Sequence, residues 1–192
     1  AALSFYGYLC DREPTTAAIY TRHGLGAMML ENVGGPYFLR DDTPAVMIAV
    51  MRRLAAELRA AYPQKPLGIQ ILAFGDNLWL EIAVAEDLDF VRGESLLFQG
   101  WRPEGPTPNR GNLARFYWRR EQLLAARPRP GRVPLLLVDI LKKHKVFPRE
   151  LADEQTWLEN ISFQRLEGVS VTGAHTGRPP DEAVLEQARG AV

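Results

Sequence analysis

The sequence predicts an α/β fold carried by a parallel β-sheet. Three observations point there. Short apolar runs alternate with longer amphipathic stretches five times in succession, the order of strand–helix units rather than of hairpins. The apolar runs are continuous, as in Leu135-Leu136-Leu137-Val138, which fits strands covered on both faces. Polar residues recur just past each run, and a parallel sheet gathers all strand carboxyl ends on one side.

The elements follow in order. Ala27 to Leu30 is the first clear strand and runs into Glu31-Asn32. Pro44 to Tyr62 reads as a helix, with Val46, Ile48, Ala49, Val50, Leu54 and Leu58 near helical spacing. Thr43 is placed as its N-cap, Pro44 at its first position, and Tyr62-Pro63 at its end. Leu67 to Leu72 reads as a buried strand and Leu78 to Glu86 as a short helix. Phe90-Val91 opens a strand toward Glu94. Asn112 to Ala126 is a helix, Leu135 to Asp139 a strand, Glu150 to Phe163 a helix, Val169 to Thr172 a strand, and Asp181 to Arg189 the last helix. Gly100 to Gly111 and the basic, Pro-rich Arg127 to Pro134 are connectors. A barrel and an open doubly wound sheet both satisfy this pattern.

Composition narrows the class. With 192 residues, 46% hydrophobic and 24% charged, the chain suits a single globular domain, residues 1–192. Lys plus Arg and Asp plus Glu are 23 each, so the basic excess of a general nucleic-acid binder is missing. No run of about 18 apolar residues offers a transmembrane helix. Cys10 is alone, which excludes an internal disulfide framework and a multi-cysteine metal site. One cysteine fits a reducing compartment, the cytoplasm or an organelle matrix. Because Ala1 stands first, the expectation is a longer reading frame or a processed precursor.

Candidate site residues are the polar ones at strand carboxyl ends. They are Glu31 and Asn32, then Asn77, then Arg92 and Glu94, then Asp139 with Lys143 and His144, and finally Thr172, Gly173, Thr176 and Gly177. Carboxylates, an arginine, a lysine and a histidine converging on one side can shift pKa values and do acid–base work. Asp139 ends a strongly apolar strand, where a carboxylate needs a partner or a ligand. Arg92 with Glu94, two apart on a strand, can equally fill the interior as an ion pair. Lys142 and Lys145 read as solvated, and His23 before Gly24 reads as the end of a helix. Arg115, Arg119 and Arg120, interleaved with aromatic residues, read as packing with surface charge. Phosphate-loop, dinucleotide, HExxH and GxSxG motifs are absent. No cofactor and no metal is assigned.

In their order and spacing these residues resemble the BtpA/SgcQ family. The resemblance is carried by His23-Gly24 through Glu31-Asn32 with Pro36-Tyr37, by Leu67 to Leu72 with Asn77, by Phe90-Val91-Arg92-Gly93-Glu94, by Val138-Asp139-Ile140-Leu141-Lys142-Lys143-His144, and by Val171-Thr172-Gly173-Ala174-His175-Thr176-Gly177 with Pro179-Pro180. It implies a TIM-type (β/α)8 barrel of which about strands two to six are recognisable. It implies no settled reaction, since family members are mostly of unknown function. It leaves strands seven and eight without counterpart after Val192. Residues 1–12 are then an extension or a remnant of the first βα unit.

Two functional expectations follow. One is a barrel protein without demonstrated reaction, serving as a structural or assembly subunit. Its open barrel edges would be covered by a protein partner or a second copy, with Leu3 to Leu9 and the basic loops as docking surfaces. The other is an enzyme acting on a small phosphorylated or carboxylated metabolite. Asp139 or Glu31 would be its base or a metal ligand, Lys143 and Arg92 would hold the anionic substrate, and the Thr172–Gly177 loop would contact it.

Overall fold

A computed structural model describes residues 2–7, 13–24, 26–32, 43–72, 76–94, 96–102, 105–106, 113–141, 145–173 and 178–192; at 2–7, 13–16, 20, 76–77, 102 and 105–106 only the backbone is described. Six strands form one sheet: β1 (Ala2–Gly7), β2 (Ala27–Asn32), β3 (Leu67–Gln70), β4 (Phe90–Gly93), β7 (Leu135–Ile140) and β8 (Gly168–Val171). They lie side by side in that order, and every neighbouring pair is parallel. A small antiparallel ribbon, β5 (Trp101–Arg102) with β6 (Gly105–Pro106), follows β4. Helices α1 (Glu13–Arg22), α2 (Ala45–Ala61), α3 (Asp76–Ala85), α4 (Leu113–Ala126), α5 (Glu154–Gln164) and α6 (Glu182–Ala191) come after β1, β2, β3, β4, β7 and β8.

The expected parallel α/β architecture is present, with one qualification. Strand order in space follows order in sequence without reversal, so the switch point of a doubly wound sheet is missing. That singly wound order is the order of a barrel, but among the described residues the sheet does not close. Its end strands are β1 and β8. The N-terminal residues belong to the sheet itself: Ala2–Gly7 pairs with Ala27–Asn32 along its whole length.

Alternation along the strands divides the sheet into two faces. Met28, Leu30, Ile69, Val91, Leu136, Val138 and Ile140 form one continuous core with Met51, Ala55, Leu58, Trp79, Leu80 and Trp157 from the helices. The opposite, inner face carries Met29, Phe90 and Leu137 in its lower layers. Gly68 lies there too, and a Cβ on it would stand 2.1 Å from the Phe90 ring. Only glycine lets that ring lie flat against β3.

Helix ends refine the sequence reading. At α2 the cap is Pro44, not Thr43: the Pro44 carbonyl accepts from Met47 and Ile48, so Thr43 stands one residue too early to cap. Helix α5 begins at Glu154 rather than Glu150, because the Asp153 carboxylate accepts from the Thr156 N–H at 2.8 Å, and a 3-10 turn, Arg149–Leu151, precedes it. Helix α1 ends as expected, with exposed His23 before Gly24 at φ 74°. Trp157 of α5 is held edge-on between Phe98 and Phe147, at 4.9 and 5.1 Å between centroids. Its Nε1 donates to the Leu151 carbonyl. Such a buried aromatic anchor costs roughly 3–5 kcal/mol to truncate.

Arg127 and Arg132 of the basic connector are bonded within the fold. At the amino-terminal side of the sheet, Asp89 pairs with both Arg59 and Arg132 and accepts from the Leu67 N–H. Arg132 also binds Asp87 and the Pro63 carbonyl, while Arg127 donates to the carbonyls of Gly131 and Arg132. These arginines lock three helix-to-strand loops together. Arg120 on α4 is likewise buried, bound to Glu167 and the Pro134 carbonyl and lying over the Tyr117 ring. Arg119 pairs with Glu81. The cationic–aromatic stretch divides between packing, by Phe116 and Arg120, and exposed surface, by Arg115 and Trp118.

Candidate functional site

The inner face changes character toward the strand carboxyl ends. Glu31 on β2 is the register partner of Gln70 on β3. Arg92 on β4 is the partner of Leu137 on β7, and Asp139 and Glu94 lie two residues further on along those chains. Side chains two apart share a face, so Glu31, Gln70, Arg92 and Asp139 face inward at this end, with Glu94 just past β4 close enough for its charge to act on Arg92. All five are buried, Gln70 and Asp139 at 0% exposure.

Arg92 is the centre of this group. Its Nε donates to Asp139 Oδ1 at 2.8 Å, and its Nη2 lies 2.8 Å from the same oxygen. Burial pulls the guanidinium pKa down, but the charges of Asp139, Glu31 and Glu94 outweigh it, and the net direction is up. Three carboxylates thus surround one cation. The bond crosses to β7 because Asp139 lies diagonally ahead of the Arg92–Leu137 pair, and the charge of Glu94 on the same chain segment also acts on the guanidinium. The guanidinium thus already has a protein counter-charge in Asp139.

Gln70 has no such compensation. Among the described residues, neither Nε2 nor Oε1 finds a hydrogen-bond partner. A primary amide shut from water without partners costs roughly 1–3 kcal/mol. Nothing in the sequence reading singled it out. The available signal was its parity: within Leu67-Gly68-Ile69-Gln70, Leu67 and Ile69 face the helices, which leaves Gln70 facing inward.

The other candidates divide in three ways. Asn32 faces the helices, where its amide donates to the Leu72 carbonyl at 2.8 Å and accepts from the Leu72 N–H at 2.6 Å. It copies a peptide and extends the β2–β3 seam, which makes it part of the frame. Thr172, just past β8, has a hydroxyl closed to solvent with no hydrogen-bond partner. Gly173 is pressed so close to the Arg178 and Pro179 carbonyls that a Cβ would lie 2.2 Å from the first. Lys143, His144, Thr176 and Gly177, with the side chain of Asn77, lie outside the described residues.

Two features at this end were not foreseen. Lys145, read as solvated, is half-buried and donates to the Glu94 carbonyl, which ties the segment after β7 to the end of β4. Trp101 and Val146 bridge the same two segments. Leu141, two residues past Asp139, has φ 39°. A left-handed leucine is uncommon, and such backbone persists where the surroundings enforce it.

Among the described residues, no group of three or more His, Cys, Asp or Glu side chains is arranged to hold a metal ion. No helix among them is long and apolar enough to cross a membrane.

A singly wound parallel sheet, with buried ionisable groups at its strand carboxyl ends, defines an α/β protein built on a parallel sheet. The chain matches the BtpA family over residues 8–192 and belongs to it. It is similar to the uncharacterized mitochondrial protein F13E9.13 of Caenorhabditis elegans, 28% identical over 173 residues, covering 84% of this chain and 57% of the worm protein. It is also similar to an uncharacterized protein of Archaeoglobus fulgidus, 28% identical over 171 residues, covering 87% of this chain and 62% of that protein. The chain thus spans less than two thirds of either relative. No solved structure matches it.

Proposed function

We propose that this chain carries the site of a BtpA-type enzyme that binds a small polar metabolite at the strand carboxyl ends and moves a proton on it. The reading is supported by the burial of four ionisable groups, Glu31, Arg92, Glu94 and Asp139, at the strand carboxyl ends. Burying charge is costly, and an apolar layer would serve stability better. Charge kept there, at the end where barrel enzymes build their sites, favours chemistry. Glu31 and Asp139 are the proton-transfer candidates, and Arg92 positions Asp139. Any phosphate or carboxylate on the metabolite falls to Lys143, His144 and the loop Thr172, Gly173, Thr176, Gly177, with Asn77 at the start of α3.

The test is a thermal-unfolding screen of sugar phosphates, small carboxylic acids and divalent ions against the protein from its own source. A ligand that raises Tm for the wild type but not for Glu31→Gln or Asp139→Asn, both still folded, carries the reading. A shift that survives both substitutions overturns it.

A second reading, a non-catalytic assembly subunit, draws on β1 and β8, the end strands among the described residues, since unpaired edges invite pairing. Leu135, on the inner face of β7, is half-exposed in addition. Native mass decides between them: a large stoichiometric complex favours the subunit, a monomer or small homo-oligomer the enzyme.

A further inference from the structure

The inner layer holds more information than its charges. Gln70 presents a donor and an acceptor, both closed to solvent and neither used among the described residues. Its register partner is Glu31, and Arg92 stands on the next strand. Three carboxylates act on one guanidinium at this end, and that guanidinium is bound to Asp139. A phosphate or carboxylate brought here would meet an excess of like charge in a poorly screened setting. A neutral group would not. A neutral group with only acceptors, or only donors, would leave half of the amide idle. The complement of a primary amide is a group with both, as in another carboxamide or a pair of vicinal hydroxyls.

We infer that Gln70 is a specificity-determining residue, which hydrogen-bonds an uncharged donor–acceptor group of the ligand, a carboxamide or vicinal hydroxyls, within the inner layer. This rests on the site proposed above and fixes which end of the metabolite enters first. The anionic end, where there is one, points outward toward Thr172 and Gly173. Sites built to hydrogen-bond a substrate discriminate strongly against analogues that lack the matching group.

The test uses the complete protein with four probes: D-ribose, nicotinamide, D-ribose 5-phosphate and inorganic phosphate. Ribose or nicotinamide, at millimolar concentration, is expected to raise Tm of the wild type. Gln70→Leu is expected to weaken that binding roughly 10–100-fold. Ribose 5-phosphate separates the two ends: its binding weakens in Gln70→Leu as that of ribose does. Without any ligand, Gln70→Leu is expected to raise Tm by about 2–8 °C, because it removes an unpaired buried amide. A lower Tm for ligand-free Gln70→Leu would mean that the amide is satisfied within the fold, and would overturn the inference. So would a stabilisation by phosphate probes alone that Gln70→Leu leaves intact. If that phosphate effect is lost in Asp139→Asn, the site itself stands and only the role of Gln70 falls. Absence of any shift from ribose, nicotinamide and ribose 5-phosphate also overturns it.

Discussion

Arg92 and Asp139 meet across neighbouring parallel strands, with Nε and Nη2 of the guanidinium each 2.8 Å from one carboxylate oxygen. The pair is buried on the inner face at the carboxyl-terminal end of the sheet. It holds the Asp139 carboxyl group where β7 ends, and the charges of Asp139, Glu31 and Glu94 outweigh burial in raising the guanidinium pKa. Asp139 is therefore held in a single orientation rather than free to swing, as a proton-transfer group requires.

Breaking the pair from one side strands a buried charge. Asp139→Ala and Arg92→Met are each expected to cost roughly 3–5 kcal/mol, whereas the double change Arg92→Met with Asp139→Leu costs less than the sum of the two. Denaturant unfolding of the three variants checks this. Additive losses in the double variant would show that the two side chains do not act as a pair.

Stability and site chemistry separate along the strand axis. Asp89, at the amino-terminal side, holds Arg59, Arg132 and the Leu67 N–H. Asp89→Ala is expected to cost roughly 2–3 kcal/mol without altering the affinity of any ligand bound at the other end. Chemical denaturation paired with a binding titration tests both halves. A changed affinity would show coupling through the sheet.

The α5 cap gives an acid limb to stability. The Asp153 carboxyl lies below its ordinary value, held there first by its hydrogen bond from Thr156. Its pKa is lower in the folded chain, so its contribution is present above the unfolded value near 3.8 and is lost as pH falls through the folded one. Protection of the Thr156 amide against hydrogen exchange should therefore fall on acidification below about pH 4. In Asp153→Asn, which caps without titrating, that dependence should vanish; its persistence would assign the acid limb elsewhere.

Arg165 closes α5 in the left-handed region, at φ 51° and ψ 53°, and is exposed. Glycine adopts that conformation without the Cβ clash. Arg165→Gly is expected to stabilise the protein by roughly 0.5–1 kcal/mol, read as a higher Tm. A loss of stability would mean that the arginine side chain makes a contact worth more than the strain.

The sequence by itself determined the strand–helix alternation and the placement of Glu31, Arg92, Glu94 and Asp139 at strand carboxyl ends. These are local properties. Apolar runs such as Leu135 to Val138 need cover on both faces, and in a parallel sheet position along a strand fixes which end a residue occupies. Family membership was legible for the same reason, since motif order survives when overall identity is low. Only the tertiary structure decided which of these residues meet. Arg92 pairs with Asp139, 47 positions away, because β4 and β7 are neighbours in space, and no periodicity encodes strand adjacency. Asn32 forms a seam with Leu72 for the same cause, as that partner becomes a neighbour only when the strands align. Gln70 was hidden in an apolar run until the register set it beside Glu31, and an amide is known to lack partners only once its surroundings are in place.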